Sequence, residues 1–326
     1  MIRLTRQLAT LALLAVLALV ATACAQGEEV AEPGATDGGG AASEFPEDST
    51  MARIQSEGVL KVGTKFDQPL FGLANIEGVP EGFDVEMAKL VAAAIFGEST
   101  EENTQFQEAV SANREPFIQD GTVDIVAATY TINDERKQIV DFAGPYYIAG
   151  GEVMVMAGNP EGIEAVEDLD GKRVCTATGS TYVDSIAEQA PEADVTTFDT
   201  YSECADAMSD GRVDAVATDN VILAGLVFES EDEYELIGES FTEEPYGIGL
   251  QKCDVEFKDF LNNVIEQSYE SGEWERIYTE TIGQVIEDVP EPSPVDRYEP
   301  EGCEGGAGAT EATEATEPAE ATEPSS

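Results

Sequence analysis

Short apolar runs alternate along the chain with stretches in which apolar residues recur every three or four positions. The first pattern predicts buried β-strands and the second predicts amphipathic α-helices. In the first part of the chain, strands are predicted at 59–64, 104–109 and 123–128, and helices at 82–96, 113–120 and 134–140. Strands that alternate with helices in this order predict a parallel sheet covered by helices.

A second series of the same kind follows a break at 142–151, where Gly144-Pro145 and Gly150-Gly151 interrupt the pattern. Its strands are predicted at 152–157, 173–177, 195–198, 213–218, 234–237 and 248–251, and its helices at 181–189, 201–209, 219–228, 255–271 and 273–282. Two similar units and a returning C-terminal portion predict an α/β fold with two lobes joined by two crossing strands. Ligands of such sheets collect at the carboxyl ends of the strands.

The N-terminus carries the pattern of an exported protein. Two arginines precede an apolar run over 8–20, and small residues lead from this run to Cys24. At about 13 residues the run is shorter than the roughly 20 that a membrane span needs, so it predicts a secretory signal. The segment 20–24 resembles a bacterial lipobox, in which the cysteine is lipidated. The alternative is an ordinary signal peptide with an incidental cysteine.

These features divide the chain into segments. Residues 25–50 are rich in Gly, Ala, Glu and Pro without apolar periodicity, and the end of the chain repeats Ala-Thr-Glu, so both are predicted to be disordered. The predicted division is a lipoprotein signal peptide at 1–24, a tether at 25–50, lobe 1 at 51–147 and 245–290, lobe 2 at 148–244, and an acidic tail at 291–326.

Charge and composition exclude several classes of function. The 326 residues include 67 acidic and 16 basic side chains, a formal charge of −51, and no histidine. So negative a surface repels nucleic acid, which we exclude as a partner. The absence of imidazole removes Ser-His-Asp and Cys-His catalysis and histidine-ligated metals. We therefore expect no cofactor and no metal site.

The cysteines indicate disulfides. If Cys24 is lipidated, four cysteines remain, and an even number in an oxidising compartment favours two disulfides with three possible pairings. Cys175 and Cys204 each lie next to a strand–helix unit of lobe 2, so we expect them to pair with each other. Cys253 then pairs with Cys303.

Three of the few basic residues follow predicted strands of lobe 1. Lys65 comes after the first strand, Arg114 begins the helix after the second, and Arg136 follows the third. They are expected at one edge of one sheet, where Ser111, Thr129 and Thr131 add hydroxyl groups. Arginine binds carboxylates through two parallel hydrogen bonds and lysine adds a compact charge, so the set suits an anion. The alternative is three surface ion pairs with neighbouring acids.

Lobe 2 offers groups of two kinds. Thr178, Ser180 and Thr181 precede a helix, where backbone N–H groups and hydroxyls can receive a carboxylate, or simply cap the helix. Asp219 follows a buried strand and opens a helix, so it is either an N-cap or the counter-ion of an ammonium group. Together with the cations of lobe 1, these groups suit one ammonium and two carboxylates, which describes an acidic amino acid.

Several segments together resemble the family 3 extracellular solute-binding proteins of ABC importers. They are Gly-Phe-Asp-Val-Glu at 82–86, Asp-Ile-Val-Ala-Ala-Thr-Tyr-Thr-Ile-Asn-Asp-Glu-Arg at 124–136, Val-Asp-Phe at 140–142, Asp-Leu-Asp-Gly-Lys at 168–172 and Val-Asp-Ala-Val at 213–216. The resemblance runs from about 58 to 282 and is closest to glutamate-binding members through 63–69, 174–181 and 201–204. It implies the type II periplasmic-binding-protein fold, with a ligand cleft between the lobes.

The resemblance also implies a role for each candidate residue. Arg136 would clamp the α-carboxylate of an amino acid with Thr129 and Thr131, and Asp219 would receive the α-ammonium. The side-chain carboxylate would be held by Lys65, Ser111 and Arg114, and the second-lobe loop with Ser180 and Thr181 would close on the ligand. Two departures from the family pattern concern recognition of the ligand's side chain. The aromatic residue that many glutamine binders place near the positions of Gln68 and Ser111 is absent, and so is the second-lobe histidine of some acidic-amino-acid binders.

The sequence thus predicts a lipid-anchored, monomeric receptor on the outer face of the cell membrane. It would capture glutamate or aspartate without catalysis and deliver it to the permease subunits of an ABC importer. The alternatives are a binder of glutamine or of polar amino acids in general, a small-molecule lyase on the same fold, and the sensor domain of a receptor.

Overall fold

The computed structural model describes residues 44–230 and 232–303. The helices are α1 (Thr50–Glu57), α2 (Phe83–Phe96), α3 (Arg114–Gln119), α4 (Asp134–Lys137), α5 (Tyr182–Gln189), α6 (Tyr201–Ser209), α7 (Asn220–Glu229), α8 (Val255–Ser271) and α9 (Glu273–Glu280). The strands are β1 (Leu60–Thr64), β2 (Asp67–Gln68), β3 (Gly72–Ala74), β4 (Pro80–Glu81), β5 (Thr104–Glu108), β6 (Ile125–Val126), β7 (Asp141–Met156), β8 (Arg173–Ala177), β9 (Asp194–Phe198), β10 (Ala215–Asp219), β11 (Tyr234–Leu236) and β12 (Thr242–Leu250). No helix among these residues is long and apolar enough to span a membrane.

A mixed sheet runs through the molecule in the order β5-β1-β6-β12-β7-β10-β8-β9, with β11 also paired to β7. At one end β1 lies parallel to β5 and β6, and at the other β8 lies parallel to β9 and β10. The long antiparallel pair of β7 and β12 joins the two parallel portions. The predicted two-lobed α/β fold with two crossing strands is confirmed. Lobe 1 denotes residues 51–147 and 245–290, and lobe 2 residues 148–244.

The crossing strands are longer than the sequence predicted. Residues 142–151, read as a break, continue β7, and β12 begins six residues before the predicted strand at 248. The glycines mark close approaches within the sheet: a Cβ on Gly150 would lie 2.2 Å from Ser240 Oγ, and one on Gly151 would lie 2.4 Å from Thr242 Oγ1. Glycine inside a strand can thus mark a crowded position as well as a chain turn.

Alternation along β7 builds the core of lobe 2. Met154 packs into a cluster with Cys175, Cys204 and residues of α6 and α7, whereas Val153 and Val155 pack into a second cluster with residues of α5. Successive side chains of a strand point to opposite faces, so helices cover both faces of this sheet. The larger core of lobe 1 includes residues of α2, α8 and α9 with several aromatic rings.

Parts of the segments predicted as a tether and a tail pack on lobe 1. Phe45 packs edge-to-face on Phe260 with ring centroids 5.5 Å apart, and Ser49 caps the unpredicted helix α1. At the other end, the Asp296 N–H donates to the Gly144 carbonyl at 2.7 Å, so residues 291–303 also lie against lobe 1. Burial of a few apolar side chains in each segment offsets its ordering entropy. The predicted signal peptide, with Cys24, and the remaining residues of the predicted tether and tail lie outside the described residues.

The four remaining cysteines form two disulfides. Cys175 of β8 is joined to Cys204 of α6 within lobe 2. Cys253, just before α8, is joined to Cys303 at the end of the described chain. Of the three pairings that the count allowed, the structure has the expected one.

Candidate functional site

A small cavity lies where the ends of the parallel strands from both lobes meet. Most of the residues predicted for the site line it, and two tyrosines of lobe 2 complete the wall. The lining residues are Ser111, Arg114, Thr129, Thr131, Arg136, Ser180, Thr181, Tyr182, Tyr201 and Asp219. Lys65 lies directly behind Ser111, whereas Thr178 is exposed and takes no part in the wall. The topology has therefore brought together side chains that are up to 154 residues apart, from Lys65 to Asp219.

Arg114 is held by backbone carbonyl groups. It begins α3, and its guanidinium donates to the carbonyl oxygens of Ser111 at 3.2 Å, Ala128 at 3.1 Å and Thr129 at 3.0 Å. These bonds leave little freedom to a side chain that is 3% exposed. The positive charge is thus fixed at the wall of the cavity before any ligand enters.

Arg136 lies beside Arg114 and shares its aromatic neighbour. Its guanidinium donates to the Thr131 carbonyl at 2.7 Å and pairs with Glu115 at 3.3 Å. Both guanidinium groups lie near the ring of Tyr130, with centroid distances of 4.4 Å for Arg114 and 5.0 Å for Arg136. Such contacts stabilise cations that are removed from water. Burial, and next the charge of Arg114, lower the pKa of Arg136 to about 10, so it stays protonated at neutral pH.

Lys65 follows β1 and is almost fully buried. Its Nζ donates to Ser111 Oγ at 2.8 Å. Burial, and next the charge of Arg114, lower the pKa of Lys65 to about 7. A buried ammonium beside a guanidinium is costly without an anion, so this corner of the site favours a negatively charged group.

Asp219 provides the opposite charge from lobe 2. It ends β10, and its Oδ1 accepts a hydrogen bond from the Tyr182 hydroxyl at 2.8 Å. Burial, and next the charge of the neighbouring Glu244, raise the pKa of Asp219 to about 7. Glu244 was not predicted for the site. It lies on the crossing strand β12, where its Oε2 accepts from Thr181 Oγ1 at 3.1 Å.

The loop between β8 and α5 contacts lobe 1 through Gly179. The carbonyl oxygen of Gly179 accepts from Arg136 at 3.1 Å and from Arg114 at 3.3 Å. Gly179 has φ +79°, and a Cβ there would lie 2.8 Å from the Ala112 Cα, so only glycine fits. The lobes touch at this point, with Ser180 and Thr181 beside it in the cavity wall.

Two buried side chains behind the wall were missed from the sequence. Asp84, on α2, accepts from the Thr129 N–H at 2.7 Å and from the Tyr146 hydroxyl at 2.6 Å, and burial raises its pKa to about 6. Gln68 Oε1 accepts from Thr129 Oγ1 at 3.0 Å. Together they hold Thr129 at φ +42°, a conformation that threonine rarely adopts. The sequence feature that could have indicated Asp84 is a carboxylate within the otherwise apolar stretch of the helix predicted at 82–96.

The site combines three buried cations of lobe 1 with a buried carboxylate of lobe 2. No cluster of three or more potential ligands suited to a metal ion occurs in residues 44–230 and 232–303. Each of these charges lost its hydrating water when it was buried. A molecule that carries both negative and positive groups could compensate for that loss by pairing with them.

The chain matches known proteins over most of its length. Residues 60–284 match the family model of bacterial extracellular solute-binding proteins, family 3. A glutamate-binding protein of Corynebacterium efficiens is 37% identical over 257 residues, which cover 76% of this chain and 87% of that protein. A glutamine-binding protein of a Bacillus subtilis ABC transporter is 38% identical over 251 residues, covering 76% of this chain and 90% of that protein.

Solved structures agree with this assignment. An ancestral arginine-binding protein bound to glutamine superposes with a TM-score of 0.64 at 34% identity, covering 69% of this chain and 98% of that one. The resemblance stated from the segments at 82–86 and 124–136 is therefore confirmed at the level of the family and of its type II fold. The chain belongs to the family 3 bacterial extracellular solute-binding proteins.

Proposed function

We propose that this protein captures an acidic amino acid, glutamate or aspartate, outside the cell and delivers it to the permease subunits of an ABC importer. One observation carries the proposal: Lys65, Arg114 and Arg136 from lobe 1 lie across a small cavity from Asp219 of lobe 2. An acidic amino acid has two carboxylates and one ammonium group. The charges of the wall are complementary to it.

Each end of the ligand has its own partners. Arg136, with Thr129 and Thr131, holds the α-carboxylate, and Asp219 receives the α-ammonium. Lys65, Ser111 and Arg114 hold the side-chain carboxylate, because the Lys65 ammonium and the Ser111 hydroxyl lie 2.8 Å apart and can donate to one anion. Ser180 and Thr181 close the cavity from lobe 2. We propose no chemical step, so the ligand leaves unchanged and the protein is a binder without enzymatic activity.

Glutamine is the second candidate, and the name of one relative favours it. Gln68 is fully buried, and its Nε2 has no hydrogen-bond partner among the described residues. This unsatisfied amide next to Thr129 could donate to an acceptor oxygen of the ligand. Both the side-chain amide of glutamine and the side-chain carboxylate of glutamate offer one. The Bacillus relative is named as a glutamine-binding protein. Gln68 therefore serves either ligand, whereas the charge of Lys65 favours the acidic one.

Calorimetric titration with glutamate, aspartate, glutamine and arginine tests the proposal. We expect the lowest Kd for glutamate or aspartate, and recovery of the ligand unchanged after incubation. Tighter binding of glutamine would assign the site to the second candidate. Conversion of a ligand into a product would overturn the assignment as a binder.

Attachment to the membrane is the remaining part of the proposal. We infer that the mature chain begins at a lipidated Cys24, because the small residues before Cys24 follow a predicted export signal. We also propose that it acts as a monomer. Stable anchoring takes two acyl chains, which lipidation of an N-terminal cysteine would supply. In the native host, Cys24→Ser should move the protein from the membrane fraction to the medium or periplasm. A variant that stays in the membrane fraction would contradict the anchor.

A further inference from the structure

The C-terminal segment 285–303 forms a strap across lobe 1. It begins just after the last residue of the family match, at 284, and ends at Cys303, which is joined to Cys253. The Arg297 guanidinium pairs with Glu266 at 2.7 Å and Asp259 at 3.4 Å, both on α8. The strap therefore lies outside the family match and is fastened at several points.

Tyr298 is the strap residue that reaches the core. Its ring packs against the apolar cluster that contains Tyr130 and Phe142. The ammonium groups of Lys258 and Lys137 lie 3.9 Å and 5.0 Å from its ring centroid. The Tyr298 ring is therefore held by the apolar cluster and by two lysine side chains.

The hydroxyl of Tyr298 binds the first residues of β7. It accepts a hydrogen bond from the Phe142 N–H at 2.8 Å and donates to Asp141 Oδ1 at 3.4 Å. Asp141 is also bound by Lys252 Nζ at 3.0 Å and by the Cys253 N–H at 2.6 Å. The disulfide residue Cys253 and the strap residue Tyr298 thus meet on one buried carboxylate.

A short series of contacts leads from Tyr298 to the ligand site. The Phe142 ring lies edge-on to Tyr130 with centroids 4.8 Å apart, and Tyr130 is the ring beside both arginines. A second route runs through α4, because Lys137, which contacts the Tyr298 ring, is the neighbour of Arg136 in sequence. Lys252 Nζ also donates to the Lys137 carbonyl at 2.5 Å.

We propose that the strap positions Arg114 and Arg136 for ligand binding, with Tyr298 as the positioning residue and the Cys253–Cys303 disulfide as the fastening. This inference rests on the proposed function of the site. Tyr130 supports both guanidinium groups, and Phe142 packs against Tyr130. Because Tyr298 fixes the backbone of Phe142, removing it lets this support move and the arginines lose their common orientation. Sites bind well only when the residues behind them are themselves held.

Three variants test this role by calorimetry, with Kd determined at a temperature where each variant is folded. Tyr298→Ala should raise the Kd of glutamate and of glutamine by a similar factor, roughly 2- to 30-fold, since both ligands use the arginines. Tyr298→Phe keeps the ring but removes the hydroxyl that accepts from the Phe142 N–H, so it should show most of the same loss. Arg297→Ala is the matched control: it loosens the strap on α8 but leaves Tyr298 in place, so its Kd should equal that of the wild type even if its Tm falls.

A second measurement is independent of any ligand. NMR order parameters of the Arg114 and Arg136 Nε–H groups in the empty protein should fall in Tyr298→Ala and stay at the wild-type value in Arg297→Ala. Should Tyr298→Ala fail to fold, the double variant Cys253→Ser/Cys303→Ser releases the end of the strap and should show the same loss. Unchanged Kd and unchanged order parameters would overturn the inference. If the wild type binds no amino acid, the proposed function fails while the order parameters still decide the role of the strap.

Discussion

The two sides of the cavity are built differently. On lobe 1, Arg114 and Arg136 are fixed by backbone carbonyls and by one aromatic ring, so their charges are oriented without help from a ligand. On lobe 2, Asp219 is held by a tyrosine hydroxyl, and the rest of the wall is a short loop around Gly179. The proposed function divides accordingly: lobe 1 holds the carboxylates, and lobe 2 supplies the counter-ion of the ammonium and closes the site.

The electrostatic consequences of burial also differ between the lobes. Burial lowers the pKa of Lys65 on lobe 1 to about 7 and raises the pKa of Asp219 on lobe 2 to about 7. Each shift means that burial disfavours the charged form, because the group has lost water. A ligand that brings a carboxylate to Lys65 and an ammonium to Asp219 restores the charged form of each. The proposed acidic amino acid, a zwitterion with an extra negative charge, would meet both of these requirements.

The largest effect is expected at Arg136. Arg136→Ala should weaken glutamate, aspartate and glutamine alike, because all share the α-carboxylate. Removing one partner of a buried charged hydrogen bond costs about 2–5 kcal/mol, or roughly 30- to several-thousand-fold in Kd. Calorimetry with each ligand measures the change in Kd. The control is Arg212→Ala, because Arg212 is exposed and pairs with Asp210. A loss confined to one ligand would contradict the equal role given to Arg136.

An intermediate effect is expected from pH. The glutamate carboxylate raises the pKa of Lys65 in the complex, so the complex keeps a proton that the empty site loses above pH 7. Glutamate binding should therefore weaken relative to glutamine binding as the pH rises from 7 to 9, by up to about tenfold per pH unit. Titration of Asp219 affects both ligands and cancels in the ratio of their Kd values.

The control for this prediction is Lys65→Met, in which the ratio of the two Kd values should not change with pH. A wild-type ratio that is constant from pH 6 to 9 would show that Lys65 does not face the side chain of the ligand. A preference for glutamate over glutamine that grows as the pH rises would contradict Lys65 as the titrating group.

The smallest effect compares two threonines of the same loop. Thr181 lines the cavity and donates to Glu244, whereas Thr178 is exposed. Thr181→Ala should raise Kd roughly 2- to 10-fold, the range of one hydrogen bond, and Thr178→Ala should leave it within about twofold. Equal losses of affinity in the two variants would show that Thr178 takes part in binding despite its exposed position.

The sequence predicted the fold and most of the cavity wall for physical reasons. The period of apolar residues placed Lys65, Arg114 and Arg136 after successive strands, and parallel strands necessarily end at one edge. What it missed depends on contacts distant in sequence. Tyr130 and Asp84 act through neighbours on other elements, and Glu244 lies in the part of β12 before the strand predicted at 248–251. Segments 44–50 and 291–303 carry few apolar residues, so no periodicity indicated that they pack on lobe 1.

The most direct test of the central claim is the ratio of the glutamine and glutamate Kd values in the wild type and in Lys65→Met, measured by calorimetry at pH 6.5. Lys65 bonds Ser111 at the point proposed for the side-chain carboxylate, and a hydrogen bond to a charged group contributes about 1.5–3 kcal/mol. The wild type should prefer glutamate, and the substitution should reduce that preference roughly 10- to 150-fold while glutamine binding changes little. A preference that is unchanged in Lys65→Met, or equal weakening of both ligands, would contradict the acidic ligand and leave glutamine as the better assignment.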